Sequence, residues 1–240
     1  MKTQEIYNLL NSISPFELQE GWDNSGLIVG DFNREVEHIE LALEVERDLL
    51  LNAKEGTLFI VHHPLIFSGL KRLEFSSYPA NLLEIMVQKR LSLIAMHTNF
   101  DKTHLNRYVF EKVLGFEVES QNEFICKSKV NLSREELLNH LKSKLNLDIL
   151  KIVAPKARIK SLALTTGAGA SLIDEVDADC FLTGDIKYHD AMRAMSLDIM
   201  LVDIGHYESE KFFVDALQAE LENLGVLAIV SHSKNPFEMG

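Results

Sequence analysis

A chain of 240 residues, 46% apolar and 25% charged, can bury the core of one large or two modest domains, which excludes wholesale disorder. Its formal charge of −12, with no basic run longer than the isolated pairs Lys71-Arg72 and Lys89-Arg90, argues against duplex nucleic acid as a partner. No stretch approaches the roughly 18 uncharged apolar residues of a membrane span, the N-terminus lacks a run of signal-peptide length, and Cys126 and Cys180 have no C-x-x-C spacing. The expectation is a cytoplasmic protein without a membrane partner, holding two buried, reduced thiols.

Ile6, Leu9, Leu10 and Ile13 share one face of a helix predicted over 4–13, with Thr3 as N-cap. The short apolar runs 39–45, 57–61 and 91–96 read as buried strands, and Pro79 opens a helix over 81–90. A second lobe starts near Cys126. In it, Ser133-Arg134-Glu135-Glu136 is a capping box ahead of Leu137, Leu138, Leu141 and Leu145 at helical spacing. Then follow a strand at 161–165, the turn Gly167-Ala168-Gly169, a strand at 180–183, a helix from about Asp185, a strand at 199–203, a helix over 207–224 and a strand at 226–231. The alternation predicts an α/β protein of two lobes with largely parallel or mixed sheets. Residues 1–124 with 199–240 form one lobe and 125–198 the other.

Four of the nine histidines follow apolar strands: His62, His63, His97 and His206. Open α/β sheets bind ligands beyond the carboxyl ends of their strands, so these positions predict a polar cleft there. Each histidine alone also reads as a group that caps a strand or meets a buried carbonyl. His62 and His63 point to opposite faces of a regular strand and can serve one site only where Pro64 ends it; there each can ligate a different metal of a close pair. Asp101 reads by itself as a helix N-cap, although Thr103 competes for that place and leaves the carboxylate available as a ligand. His206 and Glu210, four apart, either reach one ion or form a surface pair.

The blocks Trp22-Asp23-Asn24-Ser25-Gly26-Leu27, Val61-His62-His63-Pro64-Leu65-Ile66-Phe67, His97-Thr98-Asn99-Phe100-Asp101, Gly184-Asp185-Ile186-Lys187-Tyr188-His189 and Gly205-His206-Tyr207-Glu208-Ser209-Glu210 resemble the GTP cyclohydrolase 1 type 2 homologue family, also called Nif-three-like. The resemblance implies two divalent metal ions per chain, with His62, His63, Asp101, His206 and Glu210 as ligands in a metal-binding lobe. It also implies a toroidal homohexamer. His97 and His189 match recurring polar positions and are expected beside the ions or facing a substrate. Mixed nitrogen and oxygen donors suit zinc, manganese, iron or cobalt. Two ions bring about +4 against about −2 from two carboxylates, enough to attract a phosphate to an acidic protein. The expected activity is hydrolysis of a nucleotide or other phosphorylated small molecule. The family label suggests GTP cyclohydrolase chemistry, yet neither cysteine lies in these blocks to serve as the ligand that zinc GTP cyclohydrolases use. A metal-binding or delivery protein, or an assembly scaffold, is the other reading.

Overall fold

The structure, a computed structural model, describes residues 1–238. Its elements in chain order are α1 (Thr3–Ile13), β1 (Gly26–Val29), β2 (Ile39–Ala42), α2 (Arg47–Asn52), β3 (Leu58–Val61), α3 (Ala80–Gln88), β4 (Ser92–Ala95), α4 (Thr98–Phe100) and a helical stretch α5 over 101–113. They continue with β5 (Ser120–Asn122), β6 (Ile125–Ser133), α6 (Arg134–Leu145), β7 (Lys151–Val153), β8 (Arg158–Leu164), β9 (Cys180–Thr183), α7 (Tyr188–Ser196) and β10 (Met200–Asp203). The last are α8 (His206–Glu210), α9 (Phe213–Asn223) and β11 (Ile229–Val230). Two compact units result: Met1–Phe100 with Phe213–Lys234, and Asp101–Phe212 with the residues from Asn235. No helix among the described residues is long and apolar enough to cross a membrane.

The first unit holds a five-stranded sheet in the order β1-β4-β3-β2-β11, parallel except for the edge strand β1. Every residue of β3 and β4 is buried, which explains their unbroken apolar runs: a parallel sheet is covered on both faces. Phe59, Val61, Leu93 and Ala95 pack with Leu82, Leu83, Ile85 and Met86 of α3, and each large side chain so buried stabilises the fold by about 1.5–3 kcal/mol. Val61 pairs with Ala95, so β3 and β4 end level and release the chain into His62 and His97 at the same sheet edge. Lys89, just past α3, donates to the carbonyls of Leu50, Leu51 and Ala53 at the end of α2, where the helix dipole favours a cation.

The second unit holds a six-stranded sheet, β5-β6-β8-β9-β10-β7, with a parallel centre (β8, β9, β10) and antiparallel flanks. Thr183 pairs with Asp203, so β9 and β10 also end level, one before Gly184-Asp185 and the other before Gly205-His206.

The α/β class with mixed sheets agrees with the sequence. Several details differ. Lys2, not Thr3, caps α1, and its backbone N–H donates to Glu5. The predicted helix over 207–224 is two helices, and the strand at 226–231 shortens to two residues. Strands β5 and β6 escape prediction because they alternate weakly and are largely polar, and β7 because it is only three residues long. The chain passes between the two compact units at Phe100–Asp101 and at Phe212–Phe213, and β10 is hydrogen-bonded between β9 and β7 in the second sheet.

Candidate metal centre

In the first unit, three imidazoles converge where β3 and β4 end. Ring centroids lie 5.1 Å apart for His62 and His63, 5.0 Å for His62 and His97, and 5.8 Å for His63 and His97. Donor atoms of all three come within 4.8 Å of one another, so the group can hold a metal ion. Pro64 ends the strand after His63, and both His62 and His63 donate their backbone N–H to the Leu43 carbonyl, which makes the bend that lets adjacent residues serve one cluster.

Each ring is fixed through Nδ1. His62, fully buried, lies 2.9 Å from the Met96 carbonyl; His63 lies 2.8 Å from Glu44 Oε2; His97 lies 2.8 Å from Asp23 Oδ1. A carbonyl only accepts, and ionised carboxylates do the same, so Nδ1 is the nitrogen that donates to these oxygens in each ring and Nε2 is the nitrogen left to meet a metal. Histidines bound to metals are oriented in this way. Asp23 is the most elaborately held of these partners. Its buried side chain also accepts from the Thr98 N–H at 3.1 Å, the Thr98 hydroxyl, the Ser25 hydroxyl and the Asn24 N–H. Burial alone would raise its pKa. The hydrogen bond and charge of His97, then Thr98 and Asn24, outweigh burial and hold the carboxyl well below the usual carboxylate range.

In the second unit, His206 opens α8 between two carboxylates: Nδ1 lies 2.7 Å from Asp185 Oδ2 and Nε2 2.8 Å from Glu210 Oε2. Its pKa is raised to about 9, chiefly by the hydrogen bond to Glu210; burial opposes this, and the charge of Glu210 and the contact with Asp185 add to it. The ring is an imidazolium at neutral pH, and a cation bound at Nε2 would replace a proton. Glu210 is buried against the turn Gly167-Ala168-Gly169. A Cβ on Gly167, whose φ is +61°, would collide with Glu210 Oε1. The Gly167 N–H donates to Ser209 Oγ at 3.0 Å, and its carbonyl accepts from the Gly184 N–H at 2.7 Å. This turn, too short for a phosphate loop, is the wall behind a buried carboxylate.

Asp101 is also buried, but it is no N-cap: helical structure already begins at Thr98. It opens a π-helical turn, Asp101–Leu105, and its carbonyl accepts from Asn106 Nδ2 at 3.0 Å. Asn106 Oδ1 in turn accepts from the N–H and hydroxyl of Thr166, at 2.7 and 2.9 Å. Such turns recur at functional sites. His189 is exposed in the first turn of α7, where its ring meets the edge of Tyr188 and joins none of these groups among the described residues. Sequence reasoning assigns no individual role to Asp23, Glu44 or Asp185. Each sits far along the chain from the histidine it holds, by 74, 19 and 21 residues, and no local spacing reveals such a pair. The only signal for them is that Asp23 and Asp185 fall within the quoted blocks.

A model of the family described as Duf34/NIF3 (NGG1p interacting factor 3) matches residues 1–236. A Campylobacter jejuni protein named GTP cyclohydrolase 1 type 2 homolog is 46% identical over 239 residues, covering 99% of each chain. A Helicobacter pylori protein named GTP cyclohydrolase 1 type 2 is 43% identical over 238 residues, covering 98% of each. Among solved structures, a hypothetical protein of Staphylococcus aureus is similar with a TM-score of 0.87 at 25% identity, over 100% of this chain and 99% of that one. Reduced HcgD from Methanocaldococcus jannaschii is similar with a TM-score of 0.82 at 25% identity, over 96% and 97%.

Proposed function

Since the chain belongs to the Duf34/NIF3 family, we propose that it binds two divalent metal ions through His62, His63, Asp101, His206 and Glu210 and hydrolyses a nucleotide or another phosphorylated small molecule. The observation that carries this reading is the set of three imidazoles at the ends of β3 and β4, each held through Nδ1 by an oxygen, with donor atoms within 4.8 Å of one another. The donors fit transition metals. Nitrogen from histidine with oxygen from two buried carboxylates is a set for zinc, manganese, iron or cobalt rather than for calcium.

Bound divalent ions supply Lewis acidity and a water acidic enough to act as a nucleophile near neutral pH. The chain's own groups do the rest. Met96, Glu44 and Asp185 orient His62, His63 and His206, while Gly167 leaves room for Glu210. Asp23 fixes His97, which moves a proton beside the reacting group as general acid or base. The relatives named GTP cyclohydrolase 1 type 2 support a nucleotide as substrate. The homohexamer implied by the sequence resemblance belongs to the same proposal.

Elemental analysis of protein purified without chelator tests the reading, with about two transition-metal ions per chain expected and loss of metal in Glu210→Ala. One ion or fewer after reconstitution overturns the dinuclear site. Full metal occupancy without turnover of any nucleotide or simple phosphoester leaves metal binding or delivery as the function.

A further inference from the structure

The block Trp22-Asp23-Asn24-Ser25 holds His97 but leaves its own tryptophan outside. Trp22 is 59% exposed and Phe67 is 50% exposed, although both are large apolar rings. They stand together with His97: centroids are 5.7 Å apart for Trp22 and Phe67, 6.1 Å for Trp22 and His97, and 6.0 Å for Phe67 and His97. Both aromatic rings meet the imidazole at 76° and are tilted by only 35° from one another.

This corner is built rather than left over. Asp23, next to Trp22, is bonded to His97, and Asn24 Nδ2 donates to the carbonyl of Ile66, next to Phe67, at 2.6 Å. The two exposed rings are thereby pinned at their backbones to the histidine cluster. Holding rings still in water gains nothing for folding, whereas a rigid aromatic face binds a flat partner at little entropic cost. His97 belongs both to this triangle of rings and to the trio of imidazoles at the ends of β3 and β4, so a molecule lying on the rings can reach the cluster with its other end. That combination asks for a small molecule with a planar heteroaromatic part and an oxygen-rich, anionic part.

We propose that Trp22 and Phe67 form the stacking surface for a nucleobase-like ring, so that the substrate is a ring-bearing phosphate compound and not a bare sugar phosphate. The inference rests on the proposed function and names the substrate class of the same site.

The test uses the full-length, metal-loaded protein and two probes, guanosine 5′-monophosphate and ribose 5-phosphate, titrated by calorimetry. Trp22 is the single tryptophan, so its fluorescence reports contact at this position. The nucleotide should bind roughly tenfold or more tightly than the sugar phosphate and quench Trp22 saturably, in line with the strength of base stacking on aromatic side chains. Phe67→Ala should remove most of that preference and Phe67→Tyr should keep it. Equal binding of the two probes, or a preference that Phe67→Ala leaves intact, overturns the stacking surface while a phosphate-binding metal site stands. Failure of both probes to bind removes the proposed function and this inference together. A change in sedimentation of Phe67→Ala without a change in preference shows that the rings cover a second copy of the chain, and overturns the inference.

Discussion

Glu210 takes its place because residue 167 has no side chain. The Gly167 backbone, at φ +61°, runs against the carboxylate, with the Ser209 hydroxyl holding its N–H and Gly184 its carbonyl. Gly167→Ala adds a methyl where Glu210 Oε1 already lies and puts a Cβ on a backbone in the left-handed region. We expect a destabilisation of about 1–3 kcal/mol from the overpacking, read as a lower urea midpoint at unchanged slope, together with weaker metal binding in a chelator competition. An unchanged midpoint and affinity would mean that Glu210 can sit elsewhere without loss. The sequence marks Glu210 through its spacing to His206 and marks the glycines as a turn, but not that one backs onto the other. Forty-two residues separate Gly167 from its Ser209 partner, and only the pairing of β8, β9 and β10 brings those loops to one sheet edge.

Elements are most legible where their signals are local. The capping box at Ser133 is as read: the Glu136 N–H donates to Ser133 Oγ at 3.2 Å, and the Ser133 N–H donates to Glu136 Oε2 at 2.7 Å. The bonds that Glu136 accepts from Ser133, the backbone N–H first and the hydroxyl second, lower its pKa. A carboxylate with a depressed folded-state pKa adds stability that is complete above its unfolded value, near 4.5, and disappears as the pH falls through the folded value. The thermal midpoint of the native chain should therefore drop further on acidification below that value than the midpoint of Glu136→Gln, and parallel curves for the two would remove the cap from the acid response. The π-helical turn at Asp101 is not legible. It depends on Asn106 bonding to both the Asp101 carbonyl and Thr166, a residue from another loop, and tertiary partners of that kind override the local preference for an N-cap. The break between α8 and α9 is hidden for a similar reason, since the apolar spacing runs on through Phe213 and Leu217.

Across the molecule, both thiols lie in the second unit, Cys126 on β6 and Cys180 on β9. Burial pushes Cys126 up to about 12 and raises Cys180 as well, so neither forms a thiolate at neutral pH. Labelling with a disulfide reagent at pH 8 should find neither thiol in the native protein and both once urea unfolds this unit; a thiol that reacts without denaturant would show that the central strands open locally. The first unit is assembled differently, because it is interrupted by the second and closes only when residues 213–234 return to it. Phe213 packs against the rings of His62 and Phe100, and β11 pairs with β2 through Ile229 and Glu40. On a ribosome the three clustered histidines are made within the first hundred residues, yet the helix and strand that complete their support emerge on the order of ten seconds later. The nascent chain can finish its second sheet first, and during that interval the buried strands of the first have only part of their cover. A stop codon at position 213 would leave every histidine of the cluster in the chain and remove Phe213, which packs on the His62 ring, together with the rest of α9 and β11.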